Sequence, residues 1–124
     1  MQKFNFSLVT LFLFFFNLIF SQISPEKVLY KSTDQADLNL FVYKPVDFDK
    51  SQTYSCIVFF HGGGWNSGDY KQFERQSIYF ASRGMVAISV EYRIRNKHGT
   101  TPIEAIEDAK SAIRFVRSNA KVFS

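Results

Sequence analysis

The 124-residue sequence contains a single cysteine, which limits how the chain can be stabilised. Cys56 alone cannot form an internal disulfide, so the fold must depend on its apolar core. The position of Cys56 in an apolar segment predicts a buried, unreactive thiol. The sequence has two histidines, and no set of His, Cys, Asp and Glu has the spacing of metal ligands, so we expect neither a metal nor another cofactor.

A large excess of one sign of charge is also missing. The formal net charge is +4, and the basic residues are interleaved with acidic ones, as on an ordinary solvated surface. The densest basic segment, residues 93–98, has no interleaved aromatic residue apart from the adjoining Tyr92. Binding of nucleic acid would call for a basic patch with aromatic residues among the charges, so we expect no nucleic-acid partner.

Long apolar runs are absent except near the N-terminus. Lys3 precedes an apolar run over residues 8–20, and the small residue Ser21 follows it. This pattern is typical of a secretory signal peptide over residues 1–21, whereas a membrane-spanning helix needs about 20 apolar residues. We expect cleavage after Ser21, no stable membrane span afterwards, and secretion or export to a bacterial periplasm; an uncleaved anchor is the alternative. The remaining residues, 22–124, are enough for one small domain.

The apolar pattern of that domain predicts alternating strands and helices. Alternation of apolar and polar residues predicts an antiparallel hairpin of residues 27–32 and 38–44. Continuous apolar runs predict strands covered on both faces at residues 54–60 and 85–90. Helical spacing over the intervening residues 69–83 predicts a crossover helix, which makes the last two strands parallel neighbours in an α/β fold.

A second helix is predicted from its capping residues. Thr101 is a favourable N-cap, Pro102 suits the first helical position, and Glu104 completes a capping box. The predicted apolar face consists of Ile103, Ile106, Ala109, Ile113, Val116 and Ala120. Glu107 and Asp108 diverge by about 100° around the helix, so we interpret them as scaffold charges rather than as an acid–base pair.

The predicted elements stop where a doubly wound sheet calls for another strand. Residues 85–90 are therefore predicted to form an exposed sheet edge, with backbone N–H and C=O groups open to water or to another chain. Such an edge is typical of a fragment.

The most informative motif, His61-Gly62-Gly63-Gly64-Trp65, directly follows the apolar run at residues 54–60. Consecutive glycines allow backbone N–H groups to turn toward a bound oxygen anion, because glycine has no Cβ to restrict its φ angle. This is the chemistry of an oxyanion hole. The sequence nevertheless lacks G-x-S-x-G, the motif that carries the serine nucleophile in α/β-hydrolases.

Together with Ser89-Val90-Glu91-Tyr92-Arg93 and residues 102–120, this motif resembles the secreted α/β-hydrolase esterases and lipases related to hormone-sensitive lipase and to bacterial acetyl and feruloyl esterases. The resemblance spans nearly all of residues 22–124. It implies the N-terminal half of an α/β-hydrolase fold, with hairpin strands followed by parallel strands and crossover helices, truncated before the nucleophile elbow.

The same resemblance implies a carboxylic-ester hydrolase acting on a small-molecule or carbohydrate ester. It assigns the oxyanion hole to the backbone N–H groups of Gly63 and Gly64, with His61, Gly62 and Trp65 as supporting residues of the motif. It places the serine, aspartate and histidine of the triad downstream of residue 124, so that no catalytic residue lies in this chain. The sequence indicates no oligomeric state.

The roles of several residues near the motif can be interpreted in two ways. Trp65 either shapes the entrance of a site or plugs the glycine loop against the sheet. His61 is interpreted as a loop anchor rather than a base, and His98 as solvent-facing. Tyr92 and Arg93 follow a strand where ligand-facing loops lie, although Arg93 more often fixes such loops through hydrogen bonds.

Two other functions fit parts of the sequence. A dinucleotide-binding domain would use Glu91 to bind ribose, but a G-x-G-x-x-G motif starting at Gly62 has Ser67 in place of its third glycine. A non-catalytic or inactive truncated secreted protein is the second alternative, because an oxyanion loop contributes little without its nucleophile and base. By itself the chain is expected to be inactive.

Overall fold

The structure is a computed structural model that describes residues 23–123. The predicted signal peptide, residues 1–21, lies outside the described residues. The elements are β1 (Glu26–Ser32), β2 (Asp37–Tyr43), β3 (Cys56–Phe60), a 3₁₀-helix (Tyr70–Phe73), α1 (Glu74–Ser82), β4 (Val86–Val90), α2 (Arg95–His98), α3 (Pro102–Ser118) and α4 (Ala120–Phe123). In this part of the chain no helix is long and apolar enough to cross a membrane.

The four strands form one mixed sheet in the order β1-β2-β4-β3. The hairpin of β1 and β2 is antiparallel, and β3 and β4 are parallel, as the sequence predicts. The prediction that residues 85–90 form the exposed edge is wrong. β4 pairs with β3 on one side and antiparallel with β2 on the other, so it is fully buried and β3 forms the edge.

This arrangement also corrects the prediction for Cys56. Cys56 is exposed, because it opens the edge strand β3 instead of lying inside a covered one. The rest of β3 is only half-buried, so its continuous apolar run does not reflect cover on both faces. The continuous apolar run of β4 does reflect cover on both faces, since all five of its residues are buried.

The sheet has helices on both faces, and alternate residues of β2 contribute to two cores. Leu40 and Val42 pack with Ala112 of α3 on one face. Phe41 packs with Ala81 of α1 on the other face. This alternation follows from the two-residue period of a strand.

Helix α3 begins as predicted, but it packs through a different face. Thr101 caps the helix and completes a capping box with Glu104. The fully or nearly buried residues are Ala105, Asp108 and Ala112, whereas Ile103 and Ile106 of the predicted apolar face are exposed. The helix turns this way because small alanines allow close approach to the sheet while Asp108 meets the buried Arg93 and the partly buried Lys31 there.

Candidate functional site

The loop after β3 presents two backbone N–H groups that have no protein partner. Within residues 23–123, neither Gly63 N nor Gly64 N donates a hydrogen bond, and both residues are exposed. The carbonyl of Gly63 is occupied instead, because it accepts from Asn66 N at 3.1 Å and Ser67 N at 3.2 Å. The Gly63 carbonyl is thus used within the loop, whereas the N–H groups of Gly63 and Gly64 remain available to bind a ligand.

Glycine is required at two points of this tight turn. Gly63 has φ 128°, and a Cβ added there would lie 2.0 Å from the carbonyl oxygen of Ser67. Gly68 has φ 115°, and its added Cβ would lie 2.3 Å from Nδ1 of His61. Any side chain at these positions would force the loop apart, in addition to the cost of the backbone conformation.

His61 and Tyr92 hold the start of the loop. The His61 ring is buried, and its Nδ1 donates to the carbonyl of Gly62 at 3.0 Å. The ring stacks on Tyr92 with 4.2 Å between centroids, and the Tyr92 hydroxyl donates to the His61 carbonyl at 2.5 Å. Burial raises the pKa of Tyr92, so this hydroxyl remains protonated and remains a donor.

Two further contacts fasten the rest of the loop. The side-chain oxygen of Gln72, in the 3₁₀-helix, accepts from Gly62 N at 2.6 Å. On the other side, Arg95 N donates to the carbonyl of Trp65 at 3.0 Å. Because the loop is held before and after its two open N–H groups, their direction is fixed before any ligand binds.

A buried ionic network lies behind this loop. Asp108 of α3 is fully buried and binds Arg93 through both oxygens, with Nε at 2.8 Å and a terminal nitrogen at 2.9 Å. It also accepts from the backbone N–H of Arg93 at 3.1 Å and from Nζ of Lys31 at 2.6 Å. Arg93 in turn donates to the side chain of Gln35 at 2.9 Å. The network therefore joins the β1–β2 hairpin, the loop after β4 and helix α3.

The charge of Asp108 is maintained by these donors. Burial acts to raise the pKa of Asp108, but the hydrogen bonds from Arg93 and Lys31 outweigh burial and hold it below its usual range. The carboxylate therefore stays ionised. It fixes Arg93, whose neighbour Tyr92 stacks on His61, and so supports the loop indirectly.

With this geometry established, comparison with known proteins assigns the family. The sequence profile of the BD-FAE family matches residues 40–124, more than half of the chain. The chain belongs to the BD-FAE family.

Solved esterase structures share the fold of this BD-FAE chain. Esterase Est2 from the Planctomycetes species Thermogutta terrifontis, with propionate bound, is 47% identical and superimposes with a TM-score of 0.77. The match covers 79% of this chain and 36% of Est2. The same esterase phosphorylated by paraoxon gives a TM-score of 0.76 and 38% coverage of Est2. The BD-FAE chain thus has the fold of the N-terminal part of an α/β-hydrolase esterase and spans just over a third of its length.

A more distant relative is an animal protein. Neuroligin-like protein glit-1 from Caenorhabditis elegans is 31% identical over 97 residues. This similarity covers 73% of the BD-FAE chain and 13% of the relative.

The structure separates the interpretations that the sequence leaves open. The Trp65 side chain is 50% exposed, so it does not plug the BD-FAE loop against the sheet. Arg93 has a structural role through Asp108. Glu91, weighed as a ribose-binding residue, accepts hydrogen bonds from Asn39 and Lys97. Among the described residues, no group of three His, Cys, Asp or Glu side chains is placed to hold a metal ion.

Some residues that shape the BD-FAE site were missed or misread in the sequence. Gln72 has no motif that marks it as a loop anchor. His98 is not simply solvent-facing, because its Nδ1 accepts from the backbone N–H of Ile94 at 3.0 Å. The burial of Asp108 could have been inferred from Ala105 and Ala112, which lie about one helical turn before and after it. Small residues on one face of a helix favour close packing, and Asp108 lies on the same face.

Proposed function

We propose that this chain is the oxyanion-binding part of a carboxylic-ester hydrolase whose serine, aspartate and histidine lie beyond residue 124. The observation that carries the proposal is the pair of open N–H groups of Gly63 and Gly64. They lie at the carboxyl end of β3, where parallel strands of an α/β sheet present ligand-binding loops.

These two donors suit the chemistry of acyl transfer. Attack of a serine hydroxyl on an ester carbonyl converts the carbonyl oxygen into an anion in the tetrahedral intermediate. Gly63 N and Gly64 N would each donate a hydrogen bond to that anion, and the N–H of the residue after the serine would supply a third. Collapse of the intermediate releases the alcohol and leaves an acyl-enzyme, which water then hydrolyses.

The rigidity of the loop supports this role. Donors that are already oriented stabilise a developing charge without reorganising during the reaction. The anchors on both sides of the glycines, Gln72 and Arg95, meet that requirement.

The solved relatives support the nucleophilic step and the ester substrate. Est2 is phosphorylated by paraoxon, and transfer of a phosphoryl group to a protein requires a protein nucleophile. Est2 has also been solved with propionate and with butyrate, the acids that short-chain esters release. We propose short acyl esters of small molecules or carbohydrates as the substrate class.

Export belongs to the same proposal. Residues 1–21 would direct export and be removed, so the mature protein would act outside the cell or in a bacterial periplasm. N-terminal sequencing of the exported protein tests this point, and a mature chain that still begins at Met1 would contradict it.

The decisive experiment for the activity begins with the gene downstream of the codon for Ser124. We expect an in-frame G-x-S-x-G within about 30 codons, followed by an aspartate and a histidine. The purified product of the complete reading frame should hydrolyse p-nitrophenyl butyrate, and replacing that serine by alanine should abolish the reaction. The 124-residue chain should give no rate above background.

The contrary result favours the non-catalytic alternative. A reading frame that ends at Ser124, or a longer product without hydrolytic activity toward short esters, would mean that the glycine loop serves no ester hydrolysis in this protein.

A further inference from the structure

A cavity of about 520 Å³ adjoins the oxyanion loop on the side of α3. It is bordered by residues 64–66, Arg95 and residues 99–102, and we call it the Arg95 pocket. Gly64 belongs both to this lining and to the oxyanion loop. A substrate whose carbonyl lies at that loop can therefore extend directly into the pocket.

Arg95 provides an unneutralised positive charge at this pocket. Within residues 23–123, its guanidinium takes part in none of the ion pairs or side-chain hydrogen bonds. Glu91 and Glu104 already have partners, because Glu91 pairs with Lys97 and Glu104 accepts from the N–H and hydroxyl of Thr101. The N-terminus of α3 adds no open site, since Thr101 and Glu104 already cap it.

The position of Arg95 relative to the loop is fixed by the backbone. Arg95 N donates to Trp65 O, and Asn96 N donates to Asn66 O, each at 3.0 Å. The single turn of α2 is closed by hydrogen bonds from Ile94 N to His98 and from Gly99 N to Arg95 O. The guanidinium therefore stays within one side-chain length of the oxyanion loop.

Trp65 presents a flat apolar surface beside this charge. Its backbone has φ 60°, which is unfavourable for a residue with a side chain, and its indole is nevertheless 50% exposed. Burial of the side chain therefore gives little compensation for the backbone strain. Strain of this kind accumulates at sites where it serves ligand binding.

We propose that the Arg95 pocket binds a carboxylate-bearing ring of the ester substrate. The ring would pack on the indole of Trp65, and its carboxylate would accept hydrogen bonds from the Arg95 guanidinium. Within the proposed class of short acyl esters, the preferred substrate is then an acylated ring alcohol that also carries a free carboxylate, such as an acylated sugar acid. This inference rests on the proposed function for its biological meaning, but the binding site itself needs no catalytic triad.

The test measures binding to the product of the complete reading frame, in which the pocket residues belong to the whole fold. That product is titrated with cyclohexanecarboxylate and with cyclohexanecarboxamide, its neutral counterpart, by isothermal titration calorimetry. We expect the carboxylate to bind about five-fold more tightly, as for a partly exposed ion pair.

Two variants with the same change of net charge complete the test. Arg95→Gln should abolish the preference for the carboxylate. Arg117→Gln should preserve it, because Arg117 lies about 22 Å farther along α3 from Pro102. Both side chains are exposed, so both variants should keep the circular dichroism spectrum and melting temperature of the parent.

Three results would overturn the inference: equal affinity for the two probes, no measurable binding of either, or a preference that survives Arg95→Gln. Its failure is distinguishable from failure of the proposed function. A product that hydrolyses esters but shows no carboxylate preference would contradict only the pocket, whereas a product that shows the preference but hydrolyses no ester would contradict only the proposed function.

Discussion

At the scale of single residues, Asp108 has the largest structural influence on the site. It is fully buried, and its carboxylate accepts four hydrogen bonds from Arg93 and Lys31. A buried ion pair is not by itself evidence of high stability, because removing charges from water is costly. Removing the carboxylate, however, leaves the buried Arg93 without its anionic partner.

Asp108→Asn should therefore destabilise the protein by about 3–5 kcal/mol, because Arg93 and Lys31 lose their anionic partner. Its neighbour Glu107 is exposed, so Glu107→Gln should change stability by less than about 0.5 kcal/mol. Urea unfolding of the two variants and the parent measures both effects. Equal stability of the two variants would show that the network contributes little.

The pH dependence of stability follows from the same residue. The pKa of Asp108 is lowered in the folded protein. The contribution of its carboxylate to the free energy of unfolding is therefore complete above the unfolded pKa of about 4 and is lost as the pH falls through the lower folded pKa. The stability difference between the parent and Asp108→Asn should therefore narrow below about pH 4. Urea unfolding between pH 7 and pH 3 tests this, and a difference that stays constant or widens would contradict it.

At the scale of elements, the glycine loop and helix α3 position the proposed site. The loop depends on glycine for its turn, whereas α3 depends on its cap and on its small buried residues. The two are joined through the loop after β4, where Tyr92 contacts His61 and Arg93 contacts Asp108.

Gly63→Ala and Gly64→Ala should therefore have different effects. A Cβ at Gly63 would lie 2.0 Å from the Ser67 carbonyl and must displace the loop, whereas a Cβ at Gly64 meets nothing within 4 Å. In the product of the complete reading frame, we expect Gly63→Ala to lower kcat by about 100-fold or more, as for loss of an oxyanion donor. Gly64→Ala should mainly cost about 1 kcal/mol of stability, because its φ remains positive. Equal losses of kcat in the two variants would argue against this geometry.

Local signals predicted the elements well, and long-range contacts account for the errors. The cap of α3, the β1–β2 hairpin and the parallel pairing of β3 with β4 all follow from nearby residues. The face of α3 that packs on the sheet does not follow from nearby residues. Asp108 lies inward because it binds Lys31, which is 77 residues away in sequence. Gln72 was missed for the same reason, since its partner Gly62 belongs to another element.

At the scale of the whole molecule, the open edge strand and the exposed apolar face of α3 lie together. Phe60, at the end of β3, borders one cavity together with Ala109 and Ile113 of α3 and a second together with Ala109 and Ile106. The sequence predicted an open edge but assigned it to the wrong strand, because pairing order in a mixed sheet is not encoded in the periodicity of any one strand. The match covers 36% of the solved Est2 esterase, which is therefore nearly three times as long as the matched part.

The central claim is that Gly63 N and Gly64 N receive the oxygen anion of the reaction. The most direct measurement is a crystal structure of the complete reading-frame product after reaction with paraoxon. We expect the phosphoryl group on a serine outside residues 1–124, with its free oxygen about 2.7–3.1 Å from both Gly63 N and Gly64 N. A phosphoryl oxygen bound to other donors, with the two glycine N–H groups still facing solvent, would contradict the account.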